Sequence, residues 1–133
     1  MATDEPCDLT ASELARAIAA RRLTACDAVN AHLARIARLD ETLQAFITVD
    51  AEAARRQAAD CDCASAPFGP LHGVPIAVKD LTDTKALRTT YGSLLYRDHT
   101  PAHDDLAVAQ LRAAGAVILG KTNTPEFGFG ALC

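Results

Sequence analysis

The sequence predicts an α/β fold, mainly helical over residues 9–60 and alternating between strand and helix over residues 67–130. Three observations lead there. Segments of the first half repeat apolar residues at three- and four-residue spacing, as one face of a helix requires. Two short apolar runs in the second half, Val74 to Val78 and Ala116 to Leu119, suit buried strands. Between them lies a segment with proline at its start and glycine at its end, the asymmetry of a helix. At 133 residues the chain is one domain's worth.

Thr10-x-x-Glu13 is a capping-box signature for the first helix, and Leu14 and Ile18 follow on one face. Arg21 and Arg22 close it, where positive charge suits a helix C-terminus. Thr24-x-x-Asp27 opens a second helix whose apolar stripe is Val29, Leu33 and Ile36. Ala45 to Val49 is β-branched and aromatic, a strand pattern, and Asp50 to Asp60 is alanine-rich and helical. This half carries no chemistry. It reads as scaffold, with a partner-binding hairpin as the alternative.

Pro67 to Gly73 is a loop dense in turn formers. It feeds the strand Val74 to Val78, where Pro75 is tolerated near the start. Lys79 and Asp80 follow directly. Thr89 to Ser93 reads as a turn. Thr100-Pro101 reads as the start of a helix, with Asp104 and Asp105 at its positive end and Gly115 after its last turn. Ala116 to Leu119 is the next strand and Gly120 to Thr124 the next loop. Thr124-Pro125-Glu126 looks like one more helical start.

Composition removes several functional classes. Leu, Ile, Val and Phe make 30 of 133 residues against 28 alanines, so the core is thin and helix-rich. No apolar run approaches the ~18 residues of a membrane span, and the acidic start Met1 to Glu5 is not a secretory signal. A net charge of −4 with scattered Lys and Arg argues against nucleic-acid binding. Five cysteines at irregular spacing, with no CxxC pair, read as free thiols of a reducing compartment, hence a cytoplasmic protein.

Two motifs invite a functional reading and lose it. Gly115 to Thr122 matches the phosphate-binding string GxxxxGK[ST], but the four intervening residues are the strand itself. They cannot also wrap a phosphate with their amides. His99-x-x-x-His103 beside Asp104 and Asp105 suggests a metal, but Pro101 puts the pair at a helix start instead of along one face. His32 reads as helix surface, and His72 sits in a turn without an obvious partner. Lys79 is the unusual residue, a lysine closing a buried strand. Its stem can lie on apolar surface with the ammonium in water. It can also be a desolvated lysine, neutral enough to act as a base.

Gly69-Pro70-Leu71-His72-Gly73-Val74-Pro75-Ile76-Ala77-Val78-Lys79-Asp80 closely resembles the amidase signature family of amide hydrolases. Leu111 to Gly128, which contains Gly120-Lys121-Thr122-Asn123-Thr124-Pro125-Glu126-Phe127, looks like the same family continued, and Thr89-Thr90 and Gly92-Ser93 match the segment between. The resemblance is specific over residues 67–130 and looser over 9–60. It implies a mixed sheet flanked by helices and a Ser–cis-Ser–Lys triad in which Lys79 is the lysine. It implies a small-molecule amide substrate and no cofactor, since serine, lysine and water suffice.

The chain departs from the family pattern in one respect. It has three serines, Ser12, Ser65 and Ser93, and no GGSSGG-like segment in which the two triad serines lie. The expectation is therefore a single incomplete domain over residues 1–133, the N-terminal part of a longer enzyme. By itself it is expected to be inactive, weakly stable and prone to aggregate at open edges. The alternatives are part of the amidase subunit of a glutamyl-tRNA(Gln) amidotransferase, with its partner subunits, or a non-catalytic remnant. Homo-oligomer formation stays open.

Overall fold

A computed structural model describes residues 5–130. The acidic start up to Asp4 and the last cysteine, Cys133, lie outside the described residues. The architecture is a three-stranded sheet with helices packed against it. Helices α1 (Ala11–Ala19), α2 (Ala25–Leu43), α3 (Ala51–Cys63) and α4 (Leu106–Ala113) alternate with strands β1 (Phe46–Val49), β2 (Pro75–Lys79) and β3 (Val117–Thr122). Three single 3₁₀ turns complete it, at Pro6–Asp8, Leu94–Tyr96 and Glu126–Gly128.

The helix starts follow from their capping residues. The Thr10 hydroxyl accepts from Glu13 N, and the Glu13 carboxylate accepts from Thr10 N at 2.8 Å, so the capping box closes both ways. Thr24 caps α2 and Asp50 caps α3 through their side-chain oxygens. Asp62, at the end of α3, adds a tertiary cap. Its two oxygens accept from Ala25 N at 2.8 Å and Cys26 N at 3.0 Å, tying α3 to the start of α2.

The sheet is mixed, in the order β1-β3-β2, with β1 antiparallel and β2 parallel to β3. Val117 and Leu119 of β3 pack against Ala25, Val29 and Leu33 of α2 and Ala54, Ala58 and Cys61 of α3. The other face carries Ile118, Val78, Leu87 and Val108. The small side chains of α2 and α3 keep these layers close, and close packing compensates for the thin supply of large apolar residues. Gly120 is required where β1 crosses β3, since a Cβ there would stand 2.1 Å from Thr48 O.

Two sequence expectations are corrected. The fourth helix starts at Leu106 and not at Thr100, because the backbone of 99–105 is engaged elsewhere. His99 O accepts from Thr89 N, Pro101 O from Ala86 N, and Asp105 N donates to Asp83 O. Asp105 is the actual cap, accepting from Ala107 N at 2.9 Å. The third strand does not end at Leu119. It runs on through Gly120, Lys121 and Thr122, which pair with Ala77, Val78 and Lys79.

Candidate functional site

The site lies where β2 and β3 end side by side. In their register Ile76 faces Ile118, but the next pair is Ala77 with Gly120, so β3 carries one extra residue, Leu119. This bulge re-aims the side chains beyond it. Lys121 stands opposite Val78, and cross-strand partners share a face. Lys121 therefore points into the side lined by Val78, Leu87 and Ile118. Lys79, one residue after Val78, points to the opposite side and pairs with Thr122.

The two lysines have opposite environments. Lys121 is fully buried, at 0% exposure. Its ammonium donates to Thr84 Oγ1 at 3.0 Å, to Thr89 Oγ1 at 2.9 Å and to the Thr82 carbonyl. The Asp80 carboxylate, also at 0% exposure, stands 4.0 Å away. Burial pushes the Lys121 amine down to about 8, against the pull of Asp80, Asp83 and Asp104 toward the charged form. Asp80 Oδ2 accepts from Thr90 N at 3.0 Å and from Thr90 Oγ1, while Oδ1 has no hydrogen-bond partner among the described residues.

Lys79 is exposed, and among the described residues its ammonium makes no hydrogen bond or ion pair. Of the two readings the sequence leaves open, the exposed ammonium is the one seen among the described residues. β2 is an edge strand, and the face that carries Ala77 and Lys79 is open at its end.

The loop after Lys79 is fixed by its own backbone. Asp80 N donates to Thr122 O, Thr82 N to Lys79 O and Tyr91 N to Asp80 O. Tyr91 and Gly92 both adopt positive φ, at 54° and 69°, and a Cβ on Gly92 would meet Thr124 O at 2.7 Å. The 90–93 turn thus packs backbone to backbone on the segment after β3. The Tyr91 hydroxyl donates to Asp83 Oδ1, and this bond pushes the phenol up to about 12.

The chain's serines are not placed as nucleophiles. The Ser93 hydroxyl is buried and donates to Glu126 Oε1 at 2.6 Å, while Ser12 and Ser65 are exposed and their hydroxyls make no hydrogen bond to a base among the described residues. Among the described residues no group of three or more His, Cys, Asp or Glu side chains is arranged to hold a metal. His72, given no partner from sequence, has two. It accepts from Phe68 N at Nδ1 and donates from Nε2 to Cys61 O, holding the loop before β2 on α3. Sequence reasoning also missed Lys121 and Asp80 as a buried pair. The signal was the β-branched Thr122, which extends the strand pattern past Gly120.

The family model described as Amidase matches residues 27–133. The chain belongs to the amidase family. Among curated relatives, the A subunit of the glutamyl-tRNA(Gln) amidotransferase of Salinispora tropica is 46% identical over 130 residues, covering 93% of this chain and 26% of that protein. The native peptide amidase of Stenotrophomonas maltophilia superposes with a TM-score of 0.84 at 36% identity, over 90% of this chain and 26% of that one. A fatty acid amide hydrolase gives 0.85 at 27% identity, over 92% and 23%. This amidase-family chain therefore spans about a quarter of the length of the curated relatives it matches. Its mixed α/β core is the part of the amidase signature fold that it shares with them. Among the described residues no helix is long and apolar enough to cross a membrane.

Proposed function

We propose that this chain supplies the lysine base of an amide hydrolase that works through a Ser–cis-Ser–Lys triad, with Lys79 as that base and both serines on further polypeptide. The observation that carries this reading is the division of labour between the two lysines at the sheet end. Lys121 is consumed by four internal oxygen groups, whereas Lys79 presents a free amine at the C-terminal end of a parallel strand.

A bridging serine passes its own proton to the neutral Lys79 amine and takes the proton of the nucleophilic serine as that oxygen attacks the amide carbonyl. The C–N bond breaks, the nitrogen leaves with the relayed proton, and an acyl ester remains. Water, deprotonated by the same relay, attacks the ester, releases the acid and restores the serine. On this reading the further polypeptide also covers the open face at Lys79, since removal from water favours the neutral form of an amine.

A second reading is favoured by the names of the relatives. The similar proteins of Salinispora tropica and Streptomyces coelicolor are amidotransferase A subunits. On that reading the leaving nitrogen is ammonia handed to a partner protein in the cytoplasm. Co-purification of the complete polypeptide with partner subunits, together with glutamine hydrolysis, selects it. An isolated active enzyme selects the simple hydrolase.

The test of the shared reading is an alkyl fluorophosphonate, which captures an activated serine whatever the substrate. The complete polypeptide is expected to be labelled at one serine beyond residue 133, and Lys79→Ala is expected to lose the label. The 133-residue chain is expected to stay unlabelled. Labelling at Ser12, Ser65 or Ser93, or labelling indifferent to Lys79, contradicts the proposal.

A further inference from the structure

We propose that Lys121 is a positioning residue for the reacting centre, its buried ammonium folding residues 80–90 into the frame that fixes the backbone of Lys79 from the opposite face of the sheet. The inference rests on the reading of Lys79 as the base.

The connection can be followed atom by atom. The Lys121 ammonium donates to the Thr82 carbonyl, and the same residue's N–H donates to Lys79 O at 3.0 Å. Lys121 also stands 4.0 Å from the carboxylate of Asp80, whose N–H donates to Thr122 O and whose carbonyl accepts from Tyr91 N. The peptide on the C-terminal side of Lys79 is thus held at its carbonyl and at the next N–H. Both anchors lead back to one ammonium or to the strand that carries it.

The hydroxyls of Thr84 and Thr89 gather the middle of the loop on the same point. The loop is otherwise poor in apolar anchors. Leu87 is its buried large apolar side chain, while Lys85 and Ala86 are exposed. A buried charge ligated by oxygens from four loop residues is an expensive device for stability alone, because a well-packed apolar residue serves that end at least as well. What a multiply ligated ammonium provides is a single geometry. Reacting groups need that, since a displacement of about 1 Å can cost about a hundredfold in rate.

A purely structural lysine would affect folding and leave chemistry alone once the protein is folded. The charged groups that act on Lys121 are Asp80, Asp83 and Asp104. Lys121 pairs with Val78 and Lys79 with Thr122, on opposite faces of the sheet, so changes at Lys121 reach Lys79 through the backbone.

The experiment measures the second-order rate of fluorophosphonate labelling of the complete polypeptide against pH. The variants are Lys121→Met, Lys121→Arg and Thr84→Val, with Lys79→Ala as control. For folded Lys121→Met the expected result is a fall of about ten- to a hundredfold, with the rising limb of the pH profile displaced. Lys121→Arg should recover part of the rate by restoring the charge. Where Lys121→Met does not fold, Thr84→Val, which removes one ligand at equal volume, decides by the same two readouts.

An unchanged rate and an unchanged pH limb in the folded variant overturn the inference. Loss of rate with the pH limb in place does so as well, since it marks general loosening. Should Lys79→Ala label as fast as the wild type, the reading of Lys79 itself falls, an outcome distinct from either of these.

Discussion

Replacing Lys121 by methionine should remove a pH dependence of stability that identifies the buried amine. The Lys121 amine titrates near 8 in the folded chain against an ordinary value of 10.5. Below about pH 8 both folded and unfolded chains hold the proton, and the folded state carries the full cost of a desolvated charge. Between about 8 and 10.5 the folded amine is neutral while the unfolded one is still charged, so the unfolded chain binds more protons and stability rises with pH. Each pH unit within that window contributes about 1.4 kcal/mol, and the gain between pH 7 and 9.5 is about 2 kcal/mol.

Other groups slope the other way. Burial and Asp62 push the Cys26 thiol up to about 11, and Asp83 pushes Tyr91 up to about 12, so the folded chain holds those protons longer and loses stability as pH climbs past 9. The informative quantity is therefore the wild-type stability minus that of Lys121→Met, in which these contributions cancel. Urea unfolding followed by far-ultraviolet circular dichroism suits a chain without tryptophan. The difference should be flat below about pH 7.5 and rise by about 2 kcal/mol at about pH 9.5. A flat difference throughout, or one that falls, would refute the assignment of a buried, desolvated amine to Lys121.

The remaining predictions use the same chain. Lys79→Ala should change its stability by less than about 0.5 kcal/mol in urea, since the side chain is exposed and makes no hydrogen bond or ion pair among the described residues, whereas Asp80→Asn, which breaks the buried pair, should cost about 3 kcal/mol. Gly92→Ala forces a positive φ and a contact with Thr124 O, and should cost about 2 kcal/mol, read as a lowered denaturation midpoint. Iodoacetamide at about pH 8 followed by mass spectrometry should modify exposed Cys63 first and Cys61 last, because Cys61 is buried and its thiol is raised by that burial.

The helix starts of the first half were legible, because they are set by local chemistry. The hydroxyls of Thr10 and Thr24 and the carboxylate of Asp50 each cap the helix their sequence position announces. The α/β sheet was legible too, from two apolar runs and a β-branched one, while its mixed pairing was implied by the family resemblance alone. The start of the fourth helix was not. Pro101 is a good first-turn residue, but its carbonyl is committed to Ala86 N, a partner far back in the chain.

At the site the chain order put Lys79 at the end of its strand and left its environment open. Whether a strand end is dry depends on what covers the sheet edge, and no residue between 74 and 80 encodes that. Lys121 was assigned to a loop because the apolar run stops at Leu119. The bulge at that residue sends the next lysine inward, and a bulge is a property of pairing with β2, invisible in β3 alone.

The central claim, that the amine of residue 79 is the proton acceptor of an amide hydrolase, is tested most directly by steady-state hydrolysis of glutamine and of an acyl p-nitroanilide by the complete polypeptide, wild type against Lys79→Ala. The account predicts a fall in kcat/KM of about a thousandfold on whichever amide is turned over, with the stability unchanged and the rising limb of the pH profile abolished. Turnover by the variant within about a factor of two of the wild type, with the same pH limb, would contradict it.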